Sequence, residues 1–463
     1  MGMRVSQLTL GWGLACALWA FSPAWAASTT SPAKKEGDQG SGDTVRHATR
    51  RPKQFSREWH VSTSGSDTAA GTKQAPFRTI GRALRVVSPG EAIRVASGEY
   101  AEGLLIDNAV KAGRADAPIT LVGEGRPRIV PTPKGGTLVQ VRKPYWIVEG
   151  FEIDVRGQPR FAVLFEGNTT GSVLTGNDLH HGTLGAGIAT YGGARDVLIE
   201  NNHIHDFRKQ PKGDSHGVVI QATSRGITVR GNDIHHNSGD SVQCLLPDKK
   251  EDAPASDILI ENNLLHDNDE NAVDIKTCHR VVIRDNTMYG FRKSPTSSGE
   301  ALVIHYSARD VRVEDNTIHD AGRGISVGGS RIGDEPSPVG VVVSGNVIRD
   351  ITQSGGSDGT GIRVENSREV QVVDNAISGT QGYGMMLGLG SNGAPSENLT
   401  VRGNSIQGRR LVRLGQRQHR PGLKMDRNRY GSNGTFKVDP QEETNLTDWR
   451  KSSGVDQQST PLQ

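Results

Sequence analysis

The chain has 463 residues, with 54 lysines and arginines against 51 aspartates and glutamates, a formal charge of +3 and 34% hydrophobic residues. That near balance argues against a nucleic-acid-binding protein. The apolar fraction is low for a globular chain of this length, and the 58 glycines point to many tight corners.

In chain order, residues 1–26 have the make-up of a secretory signal. Arg4 supplies the charge, Leu8 to Phe21 the apolar run, and Ala24-Trp25-Ala26 a small-x-small cleavage site. The run is too short and interrupted to span a membrane. A lipoprotein reading through Cys16 meets Gly13 where such signals usually carry Leu. The mature protein is expected to be secreted or periplasmic, without a membrane span, and monomeric. Residues 27–55, rich in Ser, Thr, Gly, Lys and Arg, read as a disordered linker by composition. One domain is expected over 56–460.

Residues 59–100 open that domain. Ile80, Ala83, Leu84 and Val87 recur at helical spacing, with Thr79 as N-cap. Pro89-Gly90 turns the chain, and Ala92–Ala96 alternates as a strand. A short helix here is the expected cap on the end of a stacked fold.

From residue 172 one pattern returns: SVLTGNDLHHG, VLIENNHIHDF, ITVRGNDIHHN, ILIENNLLHDN, VVIRDNTMYGF, VRVEDNTIHDA, VVVSGNVIRDI, VQVVDNAISGT and LTVRGNSIQGR. Its asparagines are Asn177, Asn202, Asn232, Asn263, Asn286, Asn316, Asn346, Asn375 and Asn404, spaced 23 to 31 residues apart. Ile227 and Val229 alternate with Thr228 and Arg230, a strand pattern. The Asn stands where alternation breaks and suits a sharp corner. A second strand follows in each period, as in GVVI (217–220), AVDI (272–275) and ALVI (301–304). The period is too short for propeller blades and lacks a leucine-rich framework. The expected fold is therefore all-β, a right-handed parallel β-helix of ten or more coils, stacked about 4.8 Å apart with an amide ladder at the asparagines.

The opening (GSD, GT, PF-TI-AL, PG and SGEY as they stand here) and the ending DWRKSSGVDQQS (448–459) resemble secreted right-handed parallel β-helix proteins of the pectate-lyase-like superfamily. That resemblance, with the repeats, covers about residues 58–459. It implies the fold but not a reaction, since the superfamily holds lyases, hydrolases, epimerases and non-catalytic proteins.

After signal removal only Cys244 and Cys278 remain, on neighbouring coils. Export permits a disulfide. Cys244 takes the inward position of Ile220 and Ile275, so a buried free thiol is an equal alternative. The basic run from Arg409 to Arg429 reads as a solvated face. His180, His205, His235, His266 and His319 recur with the fold repeat, Tyr289 and Arg349 substituting. They read as corner residues rather than metal ligands.

Aligning the second strands puts Tyr191, Gln221, Leu245, Lys276, His305, Gly328 and Glu365 in one outward column. Ala189, Val219, Gln243, Asp274, Val303, Ser326 and Arg363 form the next. His216, Asp240, Asn271, Glu300 and Arg323 form the leading edge. Polar density peaks near DNDENAVDIKTCHR (267–280). Its carboxylates Asp269, Glu270 and Asp274, with Asp240 or Glu300 from adjacent coils, suit Ca²⁺. Lys276 and His305 are the candidate catalytic pair. Arg323, Arg363, Tyr191, Gln221 and Gln243 are candidates to hold substrate. A lysine with a basic residue in the same column of the next coil is similar to the alginate lyase and chondroitinase B family, although that family carries arginine where His305 stands. The resemblance implies Ca²⁺ binding at Asp269 and Asn271. The expected function is a polysaccharide lyase acting by β-elimination on a uronic-acid-containing polysaccharide. The alternatives are a non-catalytic glycan-binding or surface β-helix, and a glycoside hydrolase using Asp240 and Asp274.

Overall fold

The computed structural model describes residues 51–462 apart from 210–212, 295–296, 330–336, 391–393 and 442–443. The signal-like segment and the linker before residue 51 lie outside the described residues. Among the described residues the strands collect into three parallel sheets, of 14, 14 and 13 strands. One coil shows the plan. Ala186–Tyr191 belongs to sheet 3, Arg195–Glu200 to sheet 1 and His203–His205 to sheet 2, and His216–Ile220 then returns to sheet 3. Each strand pairs with its equivalents one coil before and one coil after, so the winding is a parallel β-helix, as the repeat predicts.

The inward residues of sheet 1 follow the expected alternation. Ile227 and Val229 pair in register with Ile258 and Ile260, then Val281 and Ile283. All six are buried in one continuous core that runs from Trp59 to Trp449. A narrow core of this kind explains how a chain with so few apolar residues folds.

The asparagines stack as expected. From Asn177 to Asn404, the backbone N–H and side-chain Nδ2 of each donate to Oδ1 of the Asn one coil on, at 2.9–3.1 Å. The ladder continues to a tenth rung, Asn428, which the repeat pattern missed. The corner differs from the expectation in one respect. The left-handed backbone belongs to the residue before each ladder Asn, for example Asn201, Asp285 and Asp315 with φ of 54°, 55° and 54°. The ladder Asn satisfies buried backbone groups; its neighbour makes the turn.

The histidines are also displaced from the expected corner. They take the third position of the sheet 2 strands, pointing outward, in register from His180 through His205, His235 and His266 to Tyr289 and His319. Their rings stack with centroids 4.7–5.2 Å apart. The turn falls one residue later, at His181, Asp206, His236 and Asp267, all with positive φ.

Helices close the two ends. Helix α1 (Ile80–Leu84) buries Ile80, Ala83 and Leu84, and Thr79 accepts from the Arg82 N–H at 3.1 Å, as predicted. Helix α2 (Leu446–Ser453), which the periodicity did not reveal, is capped by Asn445 and by left-handed Gly454. Its Trp449 is fully buried 4.9 Å from the Phe436 ring. Cys244 and Cys278 are disulfide-bonded, Cα to Cα 6.3 Å, which sets aside the free-thiol alternative. The bridge lies in the core directly beneath the outward residues Gln243 and Leu245. No helix among the described residues is long and apolar enough to cross a membrane.

Candidate active site

Sheet 3 pairs Gln243 with Asp274, Asp274 with Val303, Val303 with Ser326 and Ser326 with Arg363, the column expected from sequence. Lys276 and His305 follow Ile275 and Ile304, which are themselves in register. Their backbone amides donate one coil back, Lys276 to Cys244 O at 3.1 Å and His305 to Ile275 O at 2.9 Å. The lysine and histidine therefore stand side by side. The turn just beyond them is tight: a Cβ on Gly328 (φ +81°) would lie 1.6 Å from Glu365 O. Over this face lies an open cleft of about 730 Å³, lined by Gln243, Asp274, Lys276, His305, Tyr306, Arg323 and Arg363 among others.

Asp274 is the centre of the cleft floor. One carboxylate oxygen contacts His305 Nε2 at 2.7 Å. The other lies 3.6 Å from Lys276 Nζ and 3.4 Å from Gln243 Nε2. Burial opposes a charge on Asp274, but His305 and Lys276 outweigh it and hold the carboxyl below its usual range. Burial alone would lower the Lys276 pKa. Asp274, Asp240, Tyr306 and Glu270 reverse that and raise it, so Lys276 is an ammonium at neutral pH and not a base. Of the candidate pair, Lys276 is thus the cationic member. Tyr306, which sequence reasoning missed, sits with its ring 4.1 Å from that of His305. Burial, opposed by Lys276 and assisted by Asp274, raises its pKa and keeps it a neutral phenol.

Asp240 is fully buried beneath this wall. One of its oxygens accepts from Asn271 N at 2.9 Å and Nδ2 at 2.7 Å, and the other from Gln243 Nε2 at 2.8 Å. The Asp240 N–H in turn donates to His216 Nδ1 at 2.8 Å. Asp269 leaves the site and pairs with Arg208 at 3.0 Å. Glu300 pairs with Arg323. The five oxygen ligands expected for calcium (Asp240, Asp269, Asn271, Asp274 and Glu300) thus do not converge on one point, and each charged member already has a partner. Tyr191 and Gln221 stand in the predicted column, on earlier coils outside the cleft lining.

Arg323 and Arg363 line the cleft but are committed to an ion network. Arg323 donates to Asp358 at 3.0 and 3.2 Å and to Glu300; Arg363 donates to Asp358 and to Glu365, each at 2.5 Å. Burial resists a charge on Asp358, yet the two guanidiniums bring its pKa down to about 2. The two arginines expected to hold substrate carboxylates therefore meet the cleft already paired with Asp358, Glu300 and Glu365. Asp358 was not legible because it lies in a loop without a counterpart in the repeat. The same holds for Asp214, which lines the opposite end of the cleft.

The sequence also resembles known proteins. A curated relative, "Uncharacterized protein YwoF" of Bacillus subtilis (strain 168), is 21% identical over 44% of this chain and 44% of its own. The chain therefore spans less than half of that relative. Similar solved structures include a pectate lyase (18% identity, 68% of this chain, 78% of that one, TM-score 0.46). Another is an alginate lyase from Paenibacillus sp. str. FPU-7 (14% identity, 69% and 94%, TM-score 0.42). A third is PfbA, a surface adhesin of Streptococcus pneumoniae (12% identity, 83% and 94%, TM-score 0.44). Residues 63–104 match a family described as protein of unknown function (DUF1565). Residues 152–294, 252–406 and 290–436 match the family described as right handed beta helix region. Those matches span more than half of the sequence, and the chain belongs to the right-handed β-helix family.

Proposed function

We propose that this chain is a carbohydrate-active enzyme that cleaves a uronic-acid-containing polysaccharide by β-elimination. The observation that carries the reading is the Asp274–His305 contact at 2.7 Å beside the Lys276 ammonium. An open groove lined by charged and hydroxyl groups suits an extended, hydroxyl-rich polymer better than an apolar small molecule. In the reaction, His305 removes the proton from the carbon next to the uronate carboxylate. Asp274 orients the imidazole through its contact with Nε2. Lys276 offsets the carboxylate charge, which makes that carbon acidic enough to lose its proton. The electron pair left behind forms the new carbon–carbon double bond as the glycosidic C–O bond breaks. The departing oxygen takes a proton from Tyr306, the neutral phenol on the same wall. No step is routed through calcium, because the expected ligand set does not converge.

One observation favours hydrolysis as a second reading. The lining carries five carboxylates (Asp214, Glu270, Asp274, Glu300 and Glu365) against Lys276, Arg323 and Arg363. A neutral glycan would meet less repulsion there than a polyanion. The expected hydrolytic pair is not available, since Asp240 is buried and fully bonded. The test is a panel of alginate, pectate, glycosaminoglycans and neutral glycans. Unsaturated uronate ends, seen by ultraviolet absorbance and lost in His305→Ala, are expected. New reducing ends without unsaturation would replace elimination by hydrolysis. Binding without either product would leave a non-catalytic glycan-binding protein.

A further inference from the structure

Sheet 2 carries a second cluster of chemistry, on a different sheet from the cleft. The outward column Glu152, Asp178, His203, Asp233, Leu264, Thr287 and Thr317 places one histidine among acids, Leu and Thr. His203 is therefore not explained by the repeat that accounts for the neighbouring histidine column. Its side chain is 42% exposed. Nε2 of His203 faces Nε2 of His235 at 2.7 Å, and a carboxylate oxygen of Asp233 lies within 4.8 Å of the ligand nitrogens of both.

The surroundings orient these groups. His203 Nδ1 lies 3.2 Å from Asp178 Oδ1. The same Asp178 oxygen also contacts His205 Nε2 at 3.1 Å, and a carboxylate facing Nδ1 favours the His203 tautomer that leaves the Nε2 lone pair bare, as in metal-ligating histidines. His235 Nδ1 contacts His236 Nδ1 at 2.6 Å, which likewise turns Nε2 outward toward His203. Two imidazole lone pairs this close repel unless a proton or a cation lies between them. A tetrahedral ion with bonds of about 2.0–2.1 Å to nitrogen needs them slightly further apart, a small opening for half-exposed side chains.

We propose that His203, His235 and Asp233 form a binding site for a divalent transition ion of the zinc class, with Asp178 as the positioning residue for His203. Two nitrogens and one carboxylate select such ions over calcium, which takes oxygen ligands. Solvent supplies the fourth ligand on the exposed side.

The test uses the full chain without an added tag, titrated with Zn²⁺ by calorimetry and with Co²⁺ by visible absorption. One ion per chain is expected, at micromolar affinity or tighter, with a Zn²⁺-dependent rise in Tm. His203→Asn keeps a small polar residue where the same column already carries Asp178 and Asp233, so folding should hold. It and His235→Gln should each weaken binding at least tenfold and abolish the Tm rise. Asp178→Asn should weaken it by roughly tenfold with unchanged stoichiometry. His305→Ala should leave binding intact. The proposal is overturned by millimolar affinity in the wild type, by unchanged affinity in a folded His203→Asn chain, or by Ca²⁺ displacing Zn²⁺ at equal concentration.

Discussion

The corner between sheets 1 and 2 and the outward face of sheet 3 are built on the same coils, yet they obey opposite rules. At the corner every coil from Asn177 to Asn428 presents the same amide to the next. On sheet 3 the column that holds Asp274 reads Val219, Gln243, Asp274, Val303, Ser326, Arg363, with no one residue type held from coil to coil. Repetition solves a problem each coil shares, the burial of backbone polar groups at a turn. Departure from repetition marks what only one part of the stack does. The Asp274–His305–Lys276 group occupies two adjacent coils and nothing like it returns among the described residues of the sheet.

That contrast can be broken from either side. The largest effect is expected at the unique group: His305→Ala should lower the elimination rate by about 10²–10⁴-fold while leaving the melting temperature near the wild type. Initial rates and a thermal melt on the same sample check it. Next comes the shared corner. Asn316 is fully buried, donates to Ile283 O and Asn346 Oδ1, and accepts from Asn286. Asn316→Ala should cost about 3 kcal/mol in stability, read from the denaturation midpoint, with the rate per folded molecule unchanged.

A smaller effect belongs to the cleft wall. Asp358 has its pKa depressed to about 2 in the folded chain by Arg323 and Arg363. Its contribution to stability is therefore present above the unfolded carboxylate value and lost as pH falls through about 2. Asp358→Asn should destabilise the protein at neutral pH, and the difference from wild type should close on acidification over that window. The smallest effect expected is that of a chelator on the elimination rate, which should be nil. A rate that collapses with chelator and returns with Ca²⁺ would restore the calcium centre that the pairing of Asp269, Asp240 and Glu300 argues against.

The sequence made the fold legible because its strongest signals are periodic. Alternating apolar residues and a returning Asn are local patterns, and the register of the coils follows by counting from one inward residue to the next. Counting also put Lys276 and His305 in one column with Asp274 in the next, and it set Asp240 beside them, where the structure buries it beneath the wall. The tenth rung was missed because Asn428 is set among Arg427, Arg429 and Tyr430, where earlier rungs have Leu, Ile or Met two positions on. Partner choice was not legible. Asp269 and Arg208 are 61 residues apart, and nothing in their spacing says that they meet. Asp358 captures two arginines from a loop, where the repeat offers no alignment. The calcium expectation rests on the same gap: sequence shows which oxygens are present on neighbouring coils, not which are already bonded.

The most direct test of the account is a double-variant cycle on kcat/KM with wild type, His305→Ala, Asp274→Asn and the combined variant. If the carboxylate acts only through the imidazole, the combined variant should be no slower than His305→Ala alone. Losses that multiply would mean the two side chains act independently, and the proposed reactive pair would be contradicted.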